Sequence, residues 1–240
     1  MIAHQPCNWL TLSMSNFKQL IDRRGTHSTK WEKYAGRDIL PFWIADMDFA
    51  VPEFILDALR QRLDHPIVGY TKPPTTLTEA FQGWLDHHFN WAVPEEWVVW
   101  LPGVVPGMNM AARCLTPDQR MMIPTPVYYP FLEFADNVQR QDARVPLVLD
   151  QGRWSMDLQH MQRQVDHVKM VMIANPQNPT GRAYTLSELE ALAEFVERND
   201  LILVSDEIHC NIILAETAQH LPIAKVMPTI ANRTISLFAA

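Results

Sequence analysis

Short apolar runs alternating with segments of helical periodicity predict an α/β fold: a mostly parallel sheet with helices on both faces. Three observations carry this expectation. The runs Val168–Ala174 and Leu201–Val204 are almost wholly apolar, as strands buried on both faces are. Between them, Leu186–Arg198 has apolar residues at helical spacing, and Thr185 with Glu188 forms a Thr-x-x-Glu capping box at its start. Clusters of Pro, Asn and Gly, above all Asn175–Gly181, separate the runs.

Taken in order, residues 1 to about 50 read as an N-terminal arm, in which aromatic and charged residues mix without periodicity until Pro41 and Pro52. Residues 51–240 then read as a single large domain. Helical spacing recurs in Glu53–Leu63 and in 76–89, where Leu77, Ala80, Phe81, Trp84 and Leu85 line one face. The alternation continues with a strand at Trp97–Leu101 and a helix at Pro106–Cys114. Next come a strand at Arg120–Ile123, a helix at Pro130–Val138, a strand at Val145–Leu149 and a helix at Met156–Val165. After Leu201–Val204, the last strand expected is Arg233–Phe238. The 18 prolines fall mainly between these elements, where a missing N–H costs nothing.

A formal charge of -7, with no cluster of Lys and Arg interleaved with aromatics, argues against a nucleic-acid surface. No run of about 18 apolar residues suggests a membrane span, and the segment Met1–Cys7 lacks the basic and apolar regions of a signal peptide. Cys7, Cys114 and Cys210 are odd in number and far apart, which favours neither a disulfide framework nor a zinc site and fits a reducing cytoplasm. His209 with Cys210, and the pair His87-His88, have poor spacing for a metal, and no metal is expected.

Candidate chemistry gathers at the expected C-terminal ends of the strands, the edge where open α/β sheets bind ligands. Leu101–Gly107 leads into a helix whose free N–H groups suit a phosphate, or it is an ordinary strand-to-helix turn. Tyr128 and Tyr129 follow another strand and either stack on a flat ring or pack on neighbouring loops. Asp206 follows four apolar strand residues, and a buried acid needs a partner. A protonated ring nitrogen is one such partner; a structural salt bridge is the other. With Asn178 exposed by the neighbouring turn, an amide and a carboxylate can grip two polar edges of a heteroaromatic ring such as pyridoxal.

In this order the segments resemble fold-type I pyridoxal 5′-phosphate (PLP) enzymes of the aminotransferase class I/II superfamily, most of all the MalY/PatB group of cystathionine β-lyases, or C–S lyases. The resemblance rests on Arg24-Gly25-Thr26 with Lys30-Trp31, Trp43–Phe49, Gly69-Tyr70-Thr71, Pro102–Pro106, Pro126-Val127-Tyr128, Asn175–Gly181 and Ser205–His209. It implies that Val104 and Val105 offer backbone N–H groups to the cofactor phosphate. Tyr128 would stack on the ring, Asn178 and His209 would reach its phenolic oxygen, and Asp206 would pair with its nitrogen. Tyr70 would reach the phosphate in the partner of a homodimer, and Ala45 would lie near a small amino-acid substrate.

By the same resemblance, the catalytic lysine that carries the cofactor is expected one or two residues after Ala240. Lys225 lies ahead of the last strand, in a connecting segment, and does not take that place. The large domain is thus expected to be incomplete, the C-terminal small domain absent, and residues 1–240 inactive by themselves. The activity implied for a complete protein is β-elimination from a sulfur amino acid to a thiol, pyruvate and ammonia. The alternatives are an aminotransferase with the same cofactor contacts, and a non-catalytic remnant acting as a binding or regulatory module.

Overall fold

The computed structural model describes residues 17–239. Met1–Cys7 and its Cys7 lie outside them. The chain divides into two compact units, Met1–Lys72 and Pro73–Ala240.

In the first unit, α1 (Thr29–Glu32) and α2 (Glu53–Leu63) are joined by a long irregular segment. α2 has the expected bounds and buries none of its residues. The organising centre here is ionic. Lys30, only 9% exposed, donates to the Asp46 carbonyl at 2.6 Å and to the Asp48 carboxylate at 2.7 Å. Trp31 Nε1 and Arg23 donate to the same carboxylate at 2.8 and 2.9 Å, and Arg23 also pairs with Asp46.

The second unit is an α/β layer structure. Strands β1 (Arg120–Thr125), β2 (Gln141–Pro146), β5 (Val168–Ala174), β6 (Ile202–Asp206) and β7 (Thr234–Leu237) form one sheet in the order β2-β1-β5-β6-β7. Every pairing is parallel. Successive side chains of a strand point to opposite faces, and the core divides accordingly. Met122, Val171, Ile173 and Leu203 face one cluster with Leu189, Leu192 and Val196 of α7 (Leu186–Arg198). Met121, Ile123, Met170, Met172 and Val204 face the other, with Met108, Ala111 and Ala112 of α4 (Val104–Ala112) and with Phe134 of α5 (Phe134–Asn137). Burying a side chain such as Leu192 or Met172 on these faces contributes about 2 kcal/mol. The capping box of α7 is present, with both halves formed.

Three expectations are corrected. Trp97–Leu101 is not a strand: Glu95–Trp97 forms a 3-10 turn, and Val98 is extended without a neighbouring strand to bond. β propensity alone cannot make a strand that lacks a ladder partner. The expected helix at Pro130–Val138 breaks into a 3-10 turn, Tyr129–Leu132, and the single turn α5. The expected strand Val145–Leu149 straddles two elements, β2 and β3 (Val148–Asp150). β3 turns back as an antiparallel hairpin onto β4 (Arg153–Ser155). Its two turn residues, Gln151 and Gly152, both have positive φ (48° and 78°), as a two-residue hairpin turn requires.

The helix α3 (Thr75–Phe89) carries an aromatic cluster, in which Phe81 and Trp84 meet Phe238, just past β7, at centroid distances of 5.8 and 6.0 Å. His87 and His88 are exposed in its last turn. α6 (Leu158–Arg163) is shorter than expected and starts at Asp157, whose carboxylate accepts from His160 N. α8 (Ile223–Val226) holds Lys225. Among the described residues, no helix is long and apolar enough to cross a membrane.

Candidate active site

Because all five strands run the same way, the ends of β1, β5, β6 and β7 share one edge of the sheet. Register aligns Ala174 with Asp206 and Asp206 with Leu237. α4 packs over this end of the sheet on the face of Val204. Its approach is close: a Cβ on Gly107 would stand 3.0 Å from the Leu101 side chain and 3.2 Å from that of Leu237, so a larger residue would require those side chains to give way.

Gly103 precedes α4, and no side chain caps the helix. Gly107 N bonds to Gly103 O, and Pro106 has no N–H. That leaves the N–H groups of Val104 and Val105 as adjacent donors at the positive end of the helix dipole. Val104 and Tyr128 both pack on the α4-side core. Tyr128 is half-buried, with Tyr129 edge-on at 5.1 Å. Burial pushes its hydroxyl pKa up, and the neighbouring Tyr129 and Asp206 add to the rise, so the Tyr128 hydroxyl feels the Asp206 charge.

Asp206 closes β6 and is 6% exposed. Strand alternation turns it to the same face as Val204, toward α4. Its side chain accepts one hydrogen bond, from Ile208 N at 3.1 Å. Among the described residues, no Lys, Arg or His forms a salt bridge with it, so the structural ion pair considered above is absent. Burial therefore raises its pKa to about 6, with the adjacent Glu207 adding to the rise against the Ile208 hydrogen bond. A desolvated carboxylate without a cation is a receptor for one.

The Asn175–Gly181 turn divides its labour. Asn175, fully buried, accepts from Tyr184 N at 3.1 Å and donates to Leu221 O at 3.3 Å. Gln177 donates to Pro126 O at 2.6 Å and accepts from Thr180 N at 2.9 Å, tying this turn to the one that carries Tyr128. Asn178 is half-buried, and its amide makes no hydrogen bond among the described residues. Three polar side chains of the motif, those of Asn175, Gln177 and Thr180, thus build the turn, and the fourth, Asn178, is left without a partner among the described residues. His209 sits half-buried in the turn after β6, and its imidazole has no hydrogen-bond partner among the described residues.

Sequence reasoning gave no role to Glu207, the residue after Asp206, or to His220; both are buried, with His220 Nε2 2.7 Å from Glu207 Oε2. Glu207 directly follows Asp206, which was the available signal; nothing in the local sequence marks His220. Ala45 and Tyr70 belong to the first unit, where both are exposed. Among the described residues, no cluster of three or more His, Cys, Asp or Glu can hold a metal. Cys114 and Cys210 are free thiols.

A family model described as aminotransferase class I and II matches residues 37–237. The chain belongs to this family. The cystathionine beta-lyase PatB of Bacillus subtilis (strain 168) is 34% identical over 93% of this chain and 59% of its own length. The crystal structure of OvoB superposes with a TM-score of 0.88 at 42% identity, covering 93% of this chain and 60% of that one. The PLP-bound C–S lyase of Staphylococcus hominis gives a TM-score of 0.87 at 33% identity, covering 95% and 59%. The chain therefore spans about three-fifths of the length of the proteins it matches. These likenesses agree with the resemblance to PLP enzymes of fold type I and to the PatB group.

Proposed function

We propose that the protein binds PLP at the C-terminal edge of its sheet and provides the cofactor-binding part of a C–S lyase acting on sulfur amino acids. The observation that carries this reading is Asp206, a buried carboxylate at the ligand-binding edge with no cation of its own. The pyridinium nitrogen of PLP supplies the missing charge, and an ion pair there keeps that nitrogen protonated. Asn178 has a free amide for the phenolic oxygen, and His209 is a second group within the same loops. Val104 and Val105 provide two N–H donors for the phosphate at a helix N-terminus. Tyr128 stacks against the ring. The donor set thus matches the polar rim of the cofactor, group by group.

When bound, PLP supplies an electron sink for the pair left at the substrate α-carbon. The residues of this chain would orient the ring and, through Asp206, hold a proton at its nitrogen. Ala45 lines the substrate side, and Tyr70 reaches the phosphate held by the second subunit of a homodimer, both by family resemblance. The widely separated cysteines fit a cytoplasmic enzyme.

Adding PLP to the purified protein is expected to perturb the cofactor absorbance in a saturable way. Asp206→Ala should weaken that binding on the order of a hundredfold, the scale for unpairing a desolvated charge. A protein that carries this chain at the full length of its relatives should release pyruvate, ammonia and a thiol from cystathionine. Amino transfer to a 2-oxo acid without pyruvate formation would make it an aminotransferase instead, and saturable binding unaffected by Asp206→Ala would remove the carboxylate from the site.

A further inference from the structure

Beneath Asp206 lies a polar assembly that the reading above does not use. Glu207 is fully buried and has every polar group engaged. Its N–H donates to Leu237 O at 2.8 Å, its carbonyl accepts from Cys210 N at 2.9 Å, and its carboxylate meets His220 Nε2 at 2.7 Å and Ser236 Oγ at 3.3 Å. His220 is 6% exposed and lies edge-on to Phe89 of α3, with centroids 5.5 Å apart. The next residue, Leu221, accepts from Asn175 at the end of β5. Residues 220 and 221 therefore bridge the ends of two adjacent strands, β5 through Asn175 and β6 through Glu207, and Glu207 in turn meets β7 through Ser236. Asp206 sits in the middle strand of the three.

A buried ionisable pair is a poor device for stability alone, because apolar residues of similar volume stabilise a core as well or better. The cost here is visible. Among the described residues, His220 Nδ1 and Ser205 Oγ are buried without hydrogen-bond partners, and such groups destabilise a fold. What the arrangement gains is direction. Consecutive acids at a strand end point to opposite faces, and anchoring Glu207 on the α7 side turns Asp206 toward α4 and Tyr128. The adjacent Glu207 carboxylate also adds to the rise in the Asp206 pKa that burial causes.

We propose that Glu207 and His220 are positioning residues for Asp206: the pair, braced by Ser236, fixes the strand-end turn and so sets the orientation and charge of the carboxylate that meets the cofactor nitrogen. This rests on the PLP reading for its consequence and on the bracket alone for its geometry.

Two variants of the full chain test it. Glu207→Gln removes the charge and retains the shape; Glu207→Met combined with His220→Leu replaces the pair with apolar groups that fill the space. The double variant is expected to melt at or above the parent's temperature yet bind PLP more weakly, on the order of tenfold, the scale at which outer partners tune a site. In Glu207→Gln without PLP, the carboxyl ¹³C resonance of Asp206 should titrate at lower pH than in the parent, a change that a brace with a purely structural role would not produce. A folded double variant that binds PLP as tightly as the parent overturns the proposal, as does an unmoved Asp206 titration. Failure of the parent itself to bind PLP would instead overturn the functional reading, and the Asp206 titration would still decide the role of the pair.

Discussion

Two aspartates, Asp48 in the first unit and Asp206 at the sheet edge, show opposite ways of holding a carboxylate. Asp48 is met by Lys30, Trp31 and Arg23, and these hydrogen bonds, led by that of Lys30, hold its pKa down to about 2. Asp206 has one backbone N–H and no cation, and burial holds its pKa up to about 6. The first acid is complete and serves the local fold: it fastens the segment after Trp43 to α1. The second is incomplete, and its incompleteness costs stability until something positive arrives. Acids separate in this way into those that build a structure and those that await a ligand.

The largest effect expected from this contrast is on stability against pH, measured without cofactor. The pKa of Asp206 is raised on folding, so the native state binds its proton more tightly than the unfolded state does. Its favourable contribution is complete below the unfolded value near 3.8 and is lost as pH rises through about 6. Asp206→Asn should therefore stabilise the apoprotein above that window, by at most about 3 kcal/mol, with little effect at pH 4. Asp48 works in the other direction. Its pKa is lowered, so its contribution is present above about 3.8 and is lost as pH falls toward 2. Urea midpoints across the pH range read both, and an Asp206→Asn curve parallel to the parent's would show that the carboxylate is not desolvated in solution.

Next in size is the loss of a partner from the complete acid. Lys30→Met leaves Asp48 with Arg23 and Trp31 but removes its closest cation, along with the bond to Asp46 O. A loss of about 2 kcal/mol is expected. Hydrogen exchange should register it in residues 23–48 while β5 and β6 retain their protection. Faster exchange in those strands would mean that the cluster supports more than its own unit.

The contrast between the two aspartates also marks where the sequence can be read. Asp206 was legible because a charge at the end of an apolar strand is conspicuous, and β5, α2 and α7 were placed to the residue by periodicity and caps. Of the partners of Asp48, Lys30 and Trp31 were legible only as motif residues without roles and Arg23 not at all, because Lys30 and Asp48 are 18 positions apart and joined through space. His220 left no sign for the same reason: it meets Glu207 from 13 residues away. Trp97–Leu101 failed for a related cause, since a strand depends on its neighbour and the local sequence reports only propensity. The β3–β4 hairpin turned on positive φ at Gln151 as well as Gly152, and a glutamine gives no hint of that conformation.

The smallest effect concerns a third acid, Glu188, which tests whether complete pairing makes a site tolerant. Burial works against its charge, but Arg182, in a two-pronged contact at 2.7 and 2.8 Å, and the Thr185 backbone and hydroxyl together bring its pKa down to about 2. Thr185→Ala removes the hydroxyl half of the capping box and leaves Arg182 and the backbone N–H in place. An N-cap threonine contributes about 1 kcal/mol, so the thermal midpoint should fall slightly and PLP binding should be unchanged. A larger loss would mean that Arg182 cannot hold Glu188 without the cap, and that partners at a paired acid act as a unit and not as interchangeable supports.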